Sequence, residues 1–381
     1  MLEVQERAEA LDLLKLMLTC NTVNPPGKEE ILAQKLQALL AKEKISAELE
    51  QVEAGRANLI FTLPGANTAK TLLTTGHLDT VPPGRVPWEH EPFAAEIVGD
   101  TIYGRGAADM KSGLAAIIYA IILNKRAGVK LPQNLRCLAT CGEEVSSLGA
   151  THYMQKYGPQ GFDALLVGEP SNGDMLICHK GAAWLEVITH GQTSHGSMPH
   201  LGRNAITSMC NFLTALGQQR FACSPHPLLG EPTCSVDMIS GGVAVNVVPD
   251  SCSCKIDIRT LPGQTRQEVE AFIQKAFAAA KAKDAAFTAE YNFSMWLPSV
   301  SCPEQDKILT ALSAAAPCPP RQRGVYFYTD ASVLIGNRKV PVVIYGPGDD
   351  KQAHQPNEHL SLSKYYEAIE VCKNFFAAYR I

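Results

Sequence analysis

Several things are missing from this chain of 381 residues, and each absence removes a class of function. There is no basic stripe: Lys and Arg (34) are balanced by Asp and Glu (38), for a formal net charge of −4. A phosphate backbone has nothing to bind, and nucleic acid is excluded as a partner. No uninterrupted apolar run reaches membrane-spanning length, so no membrane partner is expected. The start of the chain, with Glu3 and Glu6, lacks the basic segment and apolar stretch that secretion uses, and a cytoplasmic location is expected. No internal repeat or low-complexity tract is found. The 12 cysteines lie scattered through apolar runs in a chain too large to need staples, which predicts reduced thiols. Cys252 and Cys254, two apart on a strand, share one face and read as core filler.

What is present has the size of two hydrophobic cores. Apolar spacing predicts helices through Leu11, Leu14 and Leu18 and over 29–40, the second following the breaker Pro25-Pro26-Gly27. Strands are expected at 58–63, 71–75, 134–140 and 164–167, with helices at 111–126 and 148–157 between them. Strands alternating with helices imply an α/β fold with a mainly parallel sheet sandwiched by helices. From about Gly181 the rhythm changes to alternating runs at 184–189, 235–239 and 255–259, with helices near 204–218 and 265–281. This predicts a smaller inserted α+β domain at 181–293, the first domain comprising 1–180 and 294–381, with helices at 304–315 and 363–379 and a buried strand at 340–345.

Five short segments carry metal-binding side chains. They are Thr75-Gly76-His77-Leu78-Asp79, Gly104-Arg105-Gly106-Ala107-Ala108-Asp109, Cys141-Gly142-Glu143-Glu144, Gly168-Glu169-Pro170 and Ala353-His354-Gln355-Pro356-Asn357-Glu358. Imidazole nitrogen and carboxylate oxygen suit Zn²⁺, and a carboxylate shared between two ions holds them close enough to activate a single water. His77, Glu143, Glu144 and Glu169 all fall where strands end, the place where loops of a parallel sheet converge on ligands. Each has a plainer alternative taken alone. His77 and Asp79, two apart, are an incidental surface pair or a ligand whose imidazole the carboxylate orients. Asp109 is a helix cap or a ligand. Glu143 and Glu144 are an acidic turn or acids compensated by cations, and His354 alone is a loop residue.

Together these segments, in order along nearly the whole chain, resemble the zinc-dependent aminoacylase and carboxypeptidase family, in the branch containing acetylornithine deacetylase and succinyl-diaminopimelate desuccinylase. The resemblance implies two Zn²⁺ per subunit, with Co²⁺ or Mn²⁺ as substitutes. It makes His77 and Glu169 ligands of one ion, Glu144 and His354 ligands of the other, and Asp109 the bridge, with a cis peptide between Asp109 and Met110. Asp79 orients His77, and Glu143 is the general base. In the inserted module, which resembles the family's lid and dimerisation domain, His195 becomes a donor to the developing oxyanion, delivered across a homodimer. Asn246 contacts the tetrahedral intermediate and Arg259 the substrate α-carboxylate. The residues alone leave His195 as part of a capping turn and Arg259 as an ordinary partner of Asp257 or Asp250. The activity implied is hydrolysis of a small N-acyl amino acid by a metal-activated water. A dipeptidase or glutamate-releasing carboxypeptidase acting on short peptides would share every ligand, and a non-catalytic binding protein would need neither ligands nor base.

Overall fold

The computed structural model describes residues 2–381. The chain divides into two compact units. The first runs to Ile177 and resumes over Ser301–Gly324 and Thr329–Ile381; the second comprises Cys178–Val300 and Val325–Tyr328.

The first unit is built on a mixed sheet whose middle is parallel. Strand Asn67–His77 lies between Gln133–Thr140 and Ala164–Val167, parallel to both, and Val342–Ile344 continues the parallel set beside Ala164–Val167. Antiparallel Arg56–Leu63 and Ala47–Glu53 extend one side. Covered on both faces, the middle strands carry unbroken buried runs, such as Leu72 through His77, rather than alternation. Helix Lys111–Arg126 is buried over nearly all its length, packed against Val4–Leu18, Leu362–Ala378 and the central strand. Its early Gly113 lies so close to the Gly168 carbonyl that a Cβ would come within 1.7 Å of that oxygen. Only glycine permits the helix to approach the segment that presents Glu169.

The second unit is an antiparallel sheet in the order Thr233–Gly241, Ser251–Thr260, Gly181–His190, Thr288–Leu297. Helices Ala205–Gln218 and Arg266–Lys283 cover one face, closing a core of Leu185, Val187, Met209, Phe212, Ile256, Ile258 and Ile273. Asn204 caps the first helix by accepting from the Thr207 amide, and Thr265 with Glu268 forms a capping box at the second. Cys252 and Cys254 are both buried in this core, and none of the twelve cysteines is in a disulfide.

The expected 181–293 insert lies inside the second unit, but its boundary moves. The last strand shifts register between Phe293 and Met295 and then continues to Leu297. A bulge breaks the alternation a sequence reading follows without ending the strand. The helix expected at 304–315 begins at Lys307, because the Asp306 side chain caps it through the Ile308 amide.

Candidate metal centre

Three neighbouring parallel strands deliver their carboxyl ends to one place. His77 ends the central strand opposite Thr140 in register, and Thr75 pairs with Val167 on the other side. The chain leaving Thr140 carries Glu143 and Glu144, and the chain leaving Val167 carries Glu169. Asp109 comes from the loop before helix Lys111–Arg126, and His354 from the loop before strand His359–Ser361. The helix's N-cap is Met110, so Asp109 is not the cap. The Asp109–Met110 peptide is cis.

The side chains form two trios that share Asp109: His77, Asp109 and Glu169, and Asp109, Glu144 and His354. In each trio the ligand atoms all lie within 4.8 Å of one another. Asp109 turns one oxygen to each imidazole: Oδ1 is 3.3 Å from His77 Nε2, and Oδ2 is 3.4 Å from His354 Nε2. Glu169 Oε1 is 3.7 Å from His77 Nε2, and Glu144 Oε2 is 2.9 Å from His354 Nε2. A tetrahedral ion with bonds of about 2.0–2.1 Å to nitrogen and oxygen requires ligand atoms roughly 3.3 Å apart. The donor set therefore fits a divalent cation in each trio, with one carboxylate common to both.

Electrostatics point the same way. Burial, joined by repulsion from neighbouring acids, pushes the carboxyls of Glu143 and Glu169 well above their usual range despite His77. Burial and Asp109 raise Glu144. Hydrogen bonds that His354 donates to the carboxylates of Asp109 and Glu144 draw it up to about 10, and His77 is raised although its burial opposes the charge. The cluster holds more negative charge than its histidines relieve, which is the condition a pair of cations compensates.

The tautomer of His77 follows from its neighbours. Nδ1 lies 2.9 Å from the Asp79 main-chain carbonyl, which can only accept, so Nδ1 donates and Nε2 presents its lone pair to the cluster. Here the expectation for Asp79 is corrected. Its carboxylate stands 3.6 Å from Nδ1 and is engaged elsewhere, accepting from the backbone amides of Glu143 (3.1 Å) and Glu144 (3.2 Å) and from Asn24 Nδ2 (2.9 Å). Those donors outcompete the ring because the chain after Thr140 forms a short helix, Glu143–Ser146, whose first amides are free to bond. Asp79 thus steers His77 through its backbone and the two glutamates through its side chain. Glu143 is 6% exposed, with Oε2 4.0 Å from His77 Nε2.

Asp330 was not foreseen from sequence. It is buried, accepts from Thr140 Oγ1 at 2.6 Å, and is pushed up by burial to about 6. An aspartate before the short helix Ala331–Ile335 carries no local signal of a role beside Thr140.

His195, Asn246 and Arg259 belong to the second unit. His195 and Val247 form a β-bridge, and the Gly196 amide donates to the Asn246 carbonyl at 2.7 Å, so the loops bearing His195 and Asn246 are adjacent. The Ser197 amide donates to His195 Nδ1 at 3.2 Å, which leaves Nε2 to carry the ring proton in the neutral form. Arg259 forks onto Asp257 at 2.8 and 2.9 Å and lies over the Tyr328 ring. Of the two acids considered as its partner, Asp257 is the one engaged.

Fold and donor set define a metal-dependent hydrolase. The model of peptidase family M20/M25/M40 matches residues 73–378, and the chain belongs to that family. It is 31% identical over 358 residues to an acetylornithine deacetylase of Vibrio cholerae, covering 93% of this chain and 92% of that one. To a probable succinyl-diaminopimelate desuccinylase of Staphylococcus aureus it is 27% identical over 403 residues, covering 96% of each. Among solved structures, the aminopeptidase PepT of Bacillus cereus superposes with a TM-score of 0.78 at 20% identity over 98% of both chains. The metallo-carboxypeptidase Sso-CP2 of Sulfolobus solfataricus gives 0.77 at 20% identity, over 98% of this chain and 99% of that one. These likenesses bear out the α/β fold with its largely parallel sheet. Among the described residues no helix is long and apolar enough to cross a membrane.

Proposed function

We propose that this protein is a two-metal amidohydrolase that cleaves the amide of an N-acylated amino acid, releasing a carboxylate and a free amine. The observation that carries the reading is Asp109, whose two oxygens face two imidazoles at nearly equal distance, with the buried acid Glu143 4.0 Å from one of them. His77 and Glu169 would hold one ion, Glu144 and His354 the other, and Asp109 both. Zinc suits the nitrogen and oxygen donors, and cobalt or manganese would be accepted. When bound, such a pair polarises the scissile carbonyl and makes water acidic enough to attack at neutral pH.

The protein's own groups do the rest. Glu143 takes a proton from the attacking water and passes it to the leaving amine, a task its burial favours by raising the carboxyl's proton affinity. His195, delivered from the second copy of a homodimer with Nε2–H available, donates to the oxygen that gains charge, and Asn246 contacts the tetrahedral intermediate. Arg259 reads the substrate carboxylate through the Nη1 edge of its guanidinium, since only Nε and Nη2 are bonded to Asp257.

Two further features support finer assignments. The edge strand Thr233–Gly241 exposes Val236, Met238 (61%) and Ile239 (57%), an uncovered apolar edge that a second copy of the chain would protect, so a homodimer is proposed. Twelve cysteines with no disulfide among them suit the reducing cytoplasm.

The test is a substrate panel of N-acetylornithine, N-succinyl-diaminopimelate, other N-acyl amino acids and dipeptides, with zinc or cobalt added and a chelator control. Chelator-sensitive release of amine from an acyl amino acid is expected. Hydrolysis of dipeptides alone would move the protein to the peptidase branch, and no hydrolysis of any substrate would refute the reading.

A further inference from the structure

Glu358 is a fully buried acid that holds none of the ion-facing positions, yet it makes more hydrogen bonds than any group that does. Its Oε2 accepts from Arg105 Nη1 at 2.6 Å and from the Gly106 amide at 3.1 Å. Its Oε1 accepts from the Ala108 amide at 2.7 Å and from the amide of Asp109 itself at 2.8 Å. The main-chain carbonyl of Glu358 accepts from the Gly104 amide at 2.9 Å, and the next residue, His359, pairs with Tyr103. The amides of residues 104, 106, 108 and 109 converge on this one residue, four positions after His354, while those of Arg105 and Ala107 bond to the carbonyls of Pro92 and Gly104. Arg105 is itself buried, reaching the Pro82 carbonyl and lying over the Trp88 ring.

We infer that Glu358 is the positioning residue of the bridging carboxylate, fixing the Asp109 loop to the His354 loop so that the two oxygens of Asp109 meet both imidazoles. The inference rests on reading the two trios as a metal centre. Its physical basis is the acceptor count. A carboxylate offers two oxygens and no donor, and each oxygen is met by two donors. Glutamine would set an NH₂ group against N–H donors, and an apolar side chain would leave three amides and the Arg105 Nη1 group buried without acceptors. Aspartate keeps the charge but falls one methylene short, so it should retain part of the clamp. The loop with Asp109 can then shift relative to His354, and a shift of about an ångström is enough to spoil shared coordination.

The experiment is a Co²⁺ titration of metal-free full-length protein, following visible d–d absorption and heat, on wild type, Glu358→Asp and Glu358→Gln, with far-UV circular dichroism to verify folding. Wild type should bind two equivalents. The variants should fold, bind the second equivalent about 10–100-fold more weakly and show altered absorption, Glu358→Asp less severely than Glu358→Gln. If Glu358→Gln does not fold, Glu358→Asp alone carries the comparison. Two cobalt sites of wild-type affinity and spectrum in the folded variants would overturn the role of Glu358 while leaving the metal centre standing, even if the melting temperature drops. A wild type that takes up no cobalt would remove the metal centre and this inference with it.

Discussion

The candidate groups of the two units are held in opposite ways. In the first, His77, Glu143 and Glu169 are nearly inaccessible, and their positions are set by backbone: parallel register at His77, Asp79 on the amides of Glu143 and Glu144, Glu358 on the amide of Asp109. In the second, His195 and Asn246 are exposed loop residues, and Arg259 is parked on a neighbouring aspartate. The difference teaches a division of labour. Groups that must hold charge at fixed separations are placed on strand ends and locked, because misplacement is costly for coordination and proton transfer. Groups proposed to meet the substrate keep hydrogen-bonding capacity available, as His195 does through Nε2.

Substitutions in each unit should therefore fail differently. Glu143→Ala is expected to lower turnover most, by about 10²–10⁴-fold, with metal content measured by mass spectrometry unchanged. Retention of most activity would mean that the base is elsewhere. His195→Ala should cost about 10²–10³-fold in kcat with little change in KM or metal content, since an oxyanion donor acts mainly in the transition state. A KM effect alone would make His195 a simple binding residue. Arg259→Met should raise KM about 10–100-fold for substrates bearing an α-carboxylate, the worth of a charged hydrogen-bonded contact, and leave kcat nearly untouched. An unchanged KM would leave Arg259 as no more than the partner of Asp257.

A last effect is on stability rather than catalysis and lies in the second unit. Burial depresses His179 to about 4 from an ordinary 6.5, so it is neutral in the fold. Between those values the unfolded chain binds the extra proton, and the stability contributed is full above pH 6.5 and lost as pH falls through about 4. The loss amounts to roughly 3 kcal/mol. Urea unfolding of metal-free His179→Asn should show a flatter slope across pH 6.5 to 4 than wild type, and equal slopes would remove His179 from the acid response.

How far the sequence reveals this depends on whether a signal is local. His77, Glu144 and Glu169 stand beside apolar runs whose ends are readable, and the matching motifs along the chain gave the family. The buried strands 71–75 and 164–167 and the helix 111–126 were legible for the same reason. Ala47–Glu53 and the short hairpin Glu96–Val98 with Thr101–Tyr103 were not, being edge or surface strands with little apolar alternation. The clamps were also invisible. Asp79 binds amides 64 and 65 positions away, and Glu358 binds amides about 250 positions away, contacts that leave no spacing pattern. A lone buried acid declares its task only when the donors around it are seen.

The central claim is that two cations share Asp109, and metal stoichiometry tests it most directly. Protein stripped with chelator, reconstituted with zinc and freed of excess ion should carry two ions per chain by elemental mass spectrometry. One ion per chain or fewer after reconstitution, with cobalt and manganese as well as zinc, would contradict the account.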